Sequence, residues 1–360
     1  MNFAIFTHSL RSDWNHGNAH FMRGIVTELG ARGHQVSAWE PDKSWSASNL
    51  VADAGALDAF RAVYPDLPVR LYDAENPDLD AMLEDADAVL VHEWNPPELV
   101  AAIGEKRVGA KWKLLFHDTH HRAVTAPREM AAFDLSRYDG VLAFGNVVRD
   151  LYLKNGWAKR AWTWHEAADT RVFHPIEGIE PTGDLVWIGN WGDGERSAEL
   201  SEFLIEPVAE LGLNATIHGV RYPAQALEKL EKAGIAYGGY LPNFRAPEAF
   251  ARHRVTVHVP RRPYVEALPG IPTIRPFEAL ACGIPLVSAP WSDAENLFRV
   301  GQDFLVAQNG AAMKAQLRAV LNEPELRRSL IESGLETIRA RHTCAHRASE
   351  LLEIVAQLEA

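Results

Sequence analysis

Cysteine is nearly absent: Cys282 and Cys344 are the only two in 360 residues. That excludes a disulfide framework and suits a reducing compartment, with both thiols read as packing groups. Basic charge is also short, 36 Lys and Arg against 48 Asp and Glu, for a formal net charge of -12. Nucleic acid or an anionic membrane as the main partner calls for a clustered basic face, so neither is expected, although local basic loops remain open. No stretch approaches the ~20 uninterrupted apolar residues of a membrane span. Residues 1–7 also lack the basic region and long apolar run of a signal peptide, and the chain reads as cytoplasmic with no integral membrane span. Low-complexity segments and short repeats are missing too. What remains, 47% hydrophobic and 23% charged residues, is an ordinary globular composition, enriched in Trp (11) and His (15). The length suits two domains or three, each with its own core.

Strand-like segments at 3–6, 34–39, 88–91, 113–116 and 140–143 alternate with stretches of helical spacing such as Ala19, Met22, Ile25, Val26 and Leu29. This predicts a parallel sheet covered on both faces. The periodicity lapses in a Pro/Gly segment at 173–183, after which strands at 184–188, 215–218, 255–259, 285–288 and 304–306 repeat the scheme. Helices are expected around 199–211, 276–281 and 311–321, and throughout 323–360. The predicted organisation is a first α/β domain over 1–170, a second over 171–343, and a last helix, 344–360, that crosses back to the first. Two doubly wound sheets facing a central cleft would place their loops around a ligand.

The most informative segment is 270–288. Pro276 suits a first helical turn and Gly283 suits its end. The helix N-terminus and Arg275 can hold a diphosphate, while Glu278, one turn on, can accept from both hydroxyls of a ribose; a plain surface Arg–Glu pair fits the same spacing. Arg261 and Arg262, adjacent and just after a strand, concentrate positive charge that a diphosphate would neutralise. The loop 189–196 has three glycines, which let backbone amides approach a phosphate. It matches neither a dinucleotide fingerprint nor a P-loop, which weakens NAD and ATPase readings.

The run from Arg275 to Pro285 resembles the donor-binding segment of glycosyltransferases of the GT-B fold. Residues 14–20 with 29–36 are similar to the first βα unit of that fold, and 138–143 with 165–175 to its interdomain approach. The likeness spans nearly the whole chain, nearest to spore-maturation type glycosyltransferase-like proteins and more distantly to family 4 enzymes. It implies a GT-B architecture of two Rossmann-like domains facing a cleft, with transfer of a sugar from a nucleotide diphosphosugar to an acceptor hydroxyl. The acceptor would be a glycan, a lipid-linked glycan or a small molecule, and no metal or cofactor is implied. Under the resemblance Glu278 holds the ribose, and Arg275, Arg261, Arg262, Asn190, Arg196 and Thr273 surround the rest of the donor. Family 4 enzymes usually carry a further Glu eight positions earlier, where this chain has Gly270.

Histidines cluster at 117–121. His117 and His121 stand four apart with Asp118 between them, but a strand end is not a helix face, and no metal site is expected there. By resemblance to family 4, His117 with Asp118 would touch the donor sugar. By resemblance to inverting plant-type enzymes, His16 would be the base, held by Asp118. Trp14, Asn18 and His120 are expected on the acceptor side, since indole faces stack on sugars. Two other readings stay open: an epimerase or hydrolase of the same fold, with water as acceptor, and a catalytically degenerate binding protein.

Overall fold

The computed structural model describes residues 1–15, 17–51 and 55–358. The chain forms two compact units, Met1–Glu166 with Cys344–Ala360, and Ala167–Thr343. The division falls a few residues before 170, and the C-terminal helix belongs to the first unit.

Unit 1 is built on strands β1 (Asn2–Phe6), β2 (Gln35–Pro41), β3 (Val69–Tyr72), β4 (Ala88–His92), β5 (Lys113–Asp118), β6 (Gly140–Ala143) and β7 (Ala161–Thr163). They lie in the order β3-β2-β1-β4-β5-β6-β7, with all pairings parallel. Every residue of β4 and of β6 is buried, as expected of central strands sandwiched between helices. The helix Ala19–Ala31 packs against Cys344–Gln357. From the latter, Cys344, Ala348, Leu351, Ile354 and Val355 are buried, and the indole of Trp164 donates to the Arg347 carbonyl at 2.9 Å. Both cysteines are buried thiols outside any disulfide, and Cys344 Sγ donates to the Phe21 carbonyl at 3.8 Å.

Unit 2 contains β8 (Gly183–Ile188), β9 (Ala215–His218), β10 (Ala236–Tyr237), β11 (His253–His258), β12 (Leu286–Ser288) and β13 (Leu305–Val306). Their order is β10-β9-β8-β11-β12-β13, again parallel throughout. Leu185, Trp187, Ile217, Val255 and Val257 alternate along their strands onto one face, where they meet Leu204, Val208, Leu230 and Leu317 from helices. The region expected as a single helix at 199–211 is two α-helical pieces joined by a π turn over Ser201–Ile205, with Pro207 just inside the second. The C-terminal region likewise divides into Pro324–Arg341 and Cys344–Gln357. Two Rossmann-like parallel sheets in one chain, in these strand orders, constitute the GT-B fold.

Candidate functional site

In each unit, polar side chains gather where the strands end, the place at which open parallel sheets hold ligands. The unit 2 cluster starts with the 189–196 loop after β8. Arg196 is its anchor. One terminal nitrogen of this guanidinium donates to the Val259 carbonyl at 2.9 Å and the other to the Asn190 carbonyl at 2.5 Å, tying the ends of β8 and β11 together. Its plane lies over the Trp187 ring, with 5.0 Å to the centroid. Arg196 makes no ion pair among the described residues. Burial, then the charges of Arg261 and Arg275, pull its pKa down to about 9. Removing a guanidinium from water beside two like charges disfavours the protonated form, so an incoming anion is stabilised here.

The other arginines have acidic partners. Arg261 pairs with Glu195 at 3.0 Å and Arg262 with Glu199 at 2.9 Å. The main-chain N–H of Arg262 donates to the Glu195 carbonyl, so the loops after β8 and β11 form one surface. The unneutralised Arg261–Arg262 charge expected from the sequence is therefore already matched in part by Glu195 and Glu199. Asn190 contributes its side-chain oxygen to the Val220 N–H at 3.0 Å and so holds the loop after β9.

Helix Ile274–Ala281 supplies the second half of the cluster. Thr273 at its N-cap has φ 63° and ψ 174°, a region essentially reserved for glycine. Glu278 is fully buried; Asn243 Nδ2 donates to one of its oxygens at 2.7 Å, and Arg275 forms an ion pair with the other. At position 270 the backbone has φ 91°, and a Cβ there would stand 2.4 Å from Glu295 Cγ. No larger residue fits this position unless Glu295 moves.

Sequence reading did not single out His258, the last residue of β11. Ser288 Oγ donates to the Ala289 carbonyl at 2.8 Å, so it accepts from His258 Nδ1 at 3.0 Å. That fixes the tautomer and leaves Nε2 as a buried atom with no partner among the described residues. Burial, with Arg196 and Arg275 nearby, holds the His258 pKa down at about 3.

In unit 1, His117 and Asp118 end β5 and are both fully buried. His117 sits among Trp164, His92 and Phe21, with centroids 4.9, 5.1 and 5.9 Å away. Neither of its ring nitrogens has a hydrogen-bond partner among the described residues. Burial lowers its pKa to about 3, so the ring is neutral. The hydroxyl of Tyr152 donates to Asp118 at 2.8 Å and the His120 N–H at 3.0 Å. Burial and the neighbouring Glu93 charge raise the Asp118 pKa well above the usual carboxylate range. His16, expected as the partner of Asp118, lies outside the described residues.

Glu93, just past β4, organises the surrounding loop. It accepts from the Thr119 N–H at 2.9 Å and pairs with Arg122 at 2.7 Å. The Arg122 guanidinium covers Trp94 at 4.3 Å, and Trp94 meets His120 edge-on at 5.1 Å. Asn18 donates from its amide to Thr119 Oγ1. Trp14 meets Trp45 edge-on at 6.2 Å, and Trp45 is 41% exposed. His117, Asp118, Asn18 and His120 therefore share one region, whereas Trp14 belongs with Trp45 and His8 around the loop after β1. Among the described residues, no group of three or more His, Cys, Asp or Glu could hold a metal ion. No helix among them is long and apolar enough to cross a membrane.

With this geometry in hand, the chain can be compared with known proteins. Residues 196–353 match the family profile described as Glycosyl transferase-like. No curated protein matches the chain. Among solved structures, it is similar to sucrose-phosphate synthase from Thermosynechococcus elongatus, with 13% identity, TM-score 0.65 and 99% of each chain covered. It is also similar to Anabaena Alr3699/HepE in complex with UDP-glucose, with 12% identity, TM-score 0.70 and coverage of 99% of this chain and 100% of that one. An alpha-glucosyltransferase in complex with UDP-glucose and DNA containing an abasic site gives 13% identity, TM-score 0.73 and 99% coverage of each chain. At such identities the likeness establishes the GT-B fold, and the family profile places a glycosyl transferase-like segment over most of unit 2.

Proposed function

We propose that the protein is a glycosyltransferase that moves a hexosyl group from a nucleotide diphosphosugar to an acceptor hydroxyl, without a metal ion. The observation that carries this reading is the unit 2 cluster: Arg196, which makes no ion pair among the described residues, beside Arg261 and Arg275, at the N-terminus of a helix with buried Glu278 one turn on. The cluster lies inside or within reach of the segment that matches the family profile. Glu278 accepts from the two ribose hydroxyls, exchanging its bonds to Asn243 and Arg275 for them. Arg275, thus released, joins Arg196, Arg261 and the helix N–H groups on the diphosphate. These fixed donors stabilise the negative charge that develops on the leaving group, the task a metal ion performs elsewhere. Uracil is the proposed base, since two of the structural neighbours hold UDP-glucose.

In unit 1 His117, Asp118 and Glu93 support the catalytic face, with His16 as the base for inversion; retention would need no side-chain base. Trp14, Asn18 and His120 serve the acceptor, which is a glycan, a lipid-linked glycan or a small molecule. The net charge of -12 disfavours a polyanion. Gly270 favours a second reading, a binding protein or a hydrolase of the same fold, because the side chain that family 4 enzymes place there is missing. Incubation with labelled UDP-glucose and a panel of sugar and alcohol acceptors separates the three. A labelled glycoside is the expected product. Free glucose would establish hydrolysis, and intact donor that nevertheless binds would establish a binding protein.

A further inference from the structure

We propose that unit 2 carries a second ligand site, sharing no residue with the Arg196 cluster, that binds a small phosphate monoester. A cavity of about 420 Å³ is lined by His218, His253, Arg245, Arg252, Glu248 and Thr216. Its volume lies within the range of small-molecule sites, about 300–1,000 Å³. The cavity runs along β9 from the first residues of β8 and β11, and Thr216 and His218, two apart on β9, face the same side.

Two glycines make room for its imidazoles. A Cβ on Gly183 would stand 2.5 Å from Cδ2 of His253, and one on Gly238 would stand 2.3 Å from Cε1 of His218. Any other residue at either position would displace the ring. His253 Nδ1 donates to the Ala249 carbonyl at 2.7 Å, which fixes its tautomer and leaves Nε2 without a hydrogen-bond partner among the described residues. The guanidiniums supply the positive charge of the lining. Arg252 is paired with Glu248 at 2.8 Å, whereas Arg245, exposed, makes no ion pair among the described residues. One unmatched guanidinium beside two imidazoles and a threonine hydroxyl is an oxyanion-recognising set, since guanidinium and imidazolium both form charge-assisted bonds to phosphate.

The groups around the imidazoles set their proton affinity. His218 faces His253 and the carbonyls of Gly238 and Gly239; His253 faces Asp184, Arg252 and the Ala249 carbonyl. Burial is the main cause that lowers both pKa values. A bound phosphate dianion opposes this shift, because a nearby negative charge favours the protonated rings.

The test is NMR of the histidine rings in the full-length protein, assigned with His218→Gln and His253→Gln. Inorganic phosphate and glucose 6-phosphate are titrated separately, with UDP in excess to fill the other cluster. Saturable shifts of both rings are expected with at least one probe, weakened at least fivefold in Arg245→Ala, an exposed position whose replacement leaves the fold intact. Saturation by both probes identifies phosphate alone as sufficient; saturation by glucose 6-phosphate alone shows that the sugar contributes. Shifts that fail to saturate with either probe, or that are undiminished in Arg245→Ala, overturn the proposal. The reading concerns these two rings only, so it stands or falls separately from the donor reading of the Arg196 cluster.

Discussion

Arg196 and Glu278 divide the chemistry of unit 2 between them. Arg196 makes no ion pair among the described residues and at the same time clamps the loops after β8 and β11. Glu278 is a buried acceptor whose bonds to Asn243 and Arg275 can be exchanged for ligand hydroxyls. Arg196→Ala is expected to weaken UDP binding at least tenfold, about 1.4 kcal/mol, as measured by calorimetry. Arg196→Lys should recover only part of this, because an ammonium cannot reach two carbonyls in a fork geometry. In unit 1, Tyr152→Phe removes the hydroxyl donor from the buried Asp118 carboxyl. A destabilisation of ~1–3 kcal/mol in denaturant unfolding is expected, the cost of leaving a buried polar group unsatisfied. An unchanged midpoint would show that water or another group takes the hydroxyl's place.

Among the elements, the turn before helix Ile274–Ala281 is tightly constrained at Gly270. Gly270→Ala would force an L side chain into φ 91° and against Glu295. Its melting temperature should fall. Gly270→Ala combined with Glu295→Ala should regain only the part of the loss due to the clash, since the backbone strain remains. Full recovery in the double variant would show that the clash alone matters.

This element also shows what could be read from the sequence. Arg275 and Glu278 stand three apart on one helix, so their pairing followed from spacing alone. The central strands were legible because they are buried on both faces and hence apolar throughout. β3, β7 and β10 were not, because they end or edge their sheets: β10 is exposed and β7 only half-buried, so no apolar run marks them. His258 and Glu93 were missed for a related reason. Each adjoins an apolar run as its last polar residue, and only the tertiary fold shows that His258 meets Ser288 and Glu93 meets Arg122. Searching the residue at and just after each strand end would have found both.

Across the whole molecule, burial lowers the pKa of several histidines, most of all those of His8, His117 and His258. The pKa of His8 is lowered to about 4, and those of His117 and His258 to about 3, from 6.5. Because the unfolded chain takes up protons at these residues first, the stability they preserve is fully present above pH 6.5 and is lost as the pH falls below it. The slope is up to about 1.4 kcal/mol per pH unit for each group. Asp118 and Asp293, with raised pKa values, act with the opposite sign at lower pH. Denaturant unfolding at pH 7.5, 6.5 and 5.5 should therefore show a decline on the acid side; a flat profile would mean that the imidazoles are hydrated. The chain's return to unit 1 has its own consequence. Removing 344–360 uncovers helix Ala19–Ala31 and the Trp164 indole, so unit 1 should melt earlier while unit 2 retains its transition.

The central claim is that the Arg196 cluster holds a nucleoside diphosphate. Calorimetric titration of UDP into the wild-type protein, Arg196→Ala and Glu278→Gln, in EDTA throughout, tests it most directly. Saturable binding by the wild type, weakened at least tenfold in both variants while their melting temperatures stay above the titration temperature, is the predicted result. Equal affinity in all three proteins, or no binding by the wild type unless a divalent metal is restored, would contradict it.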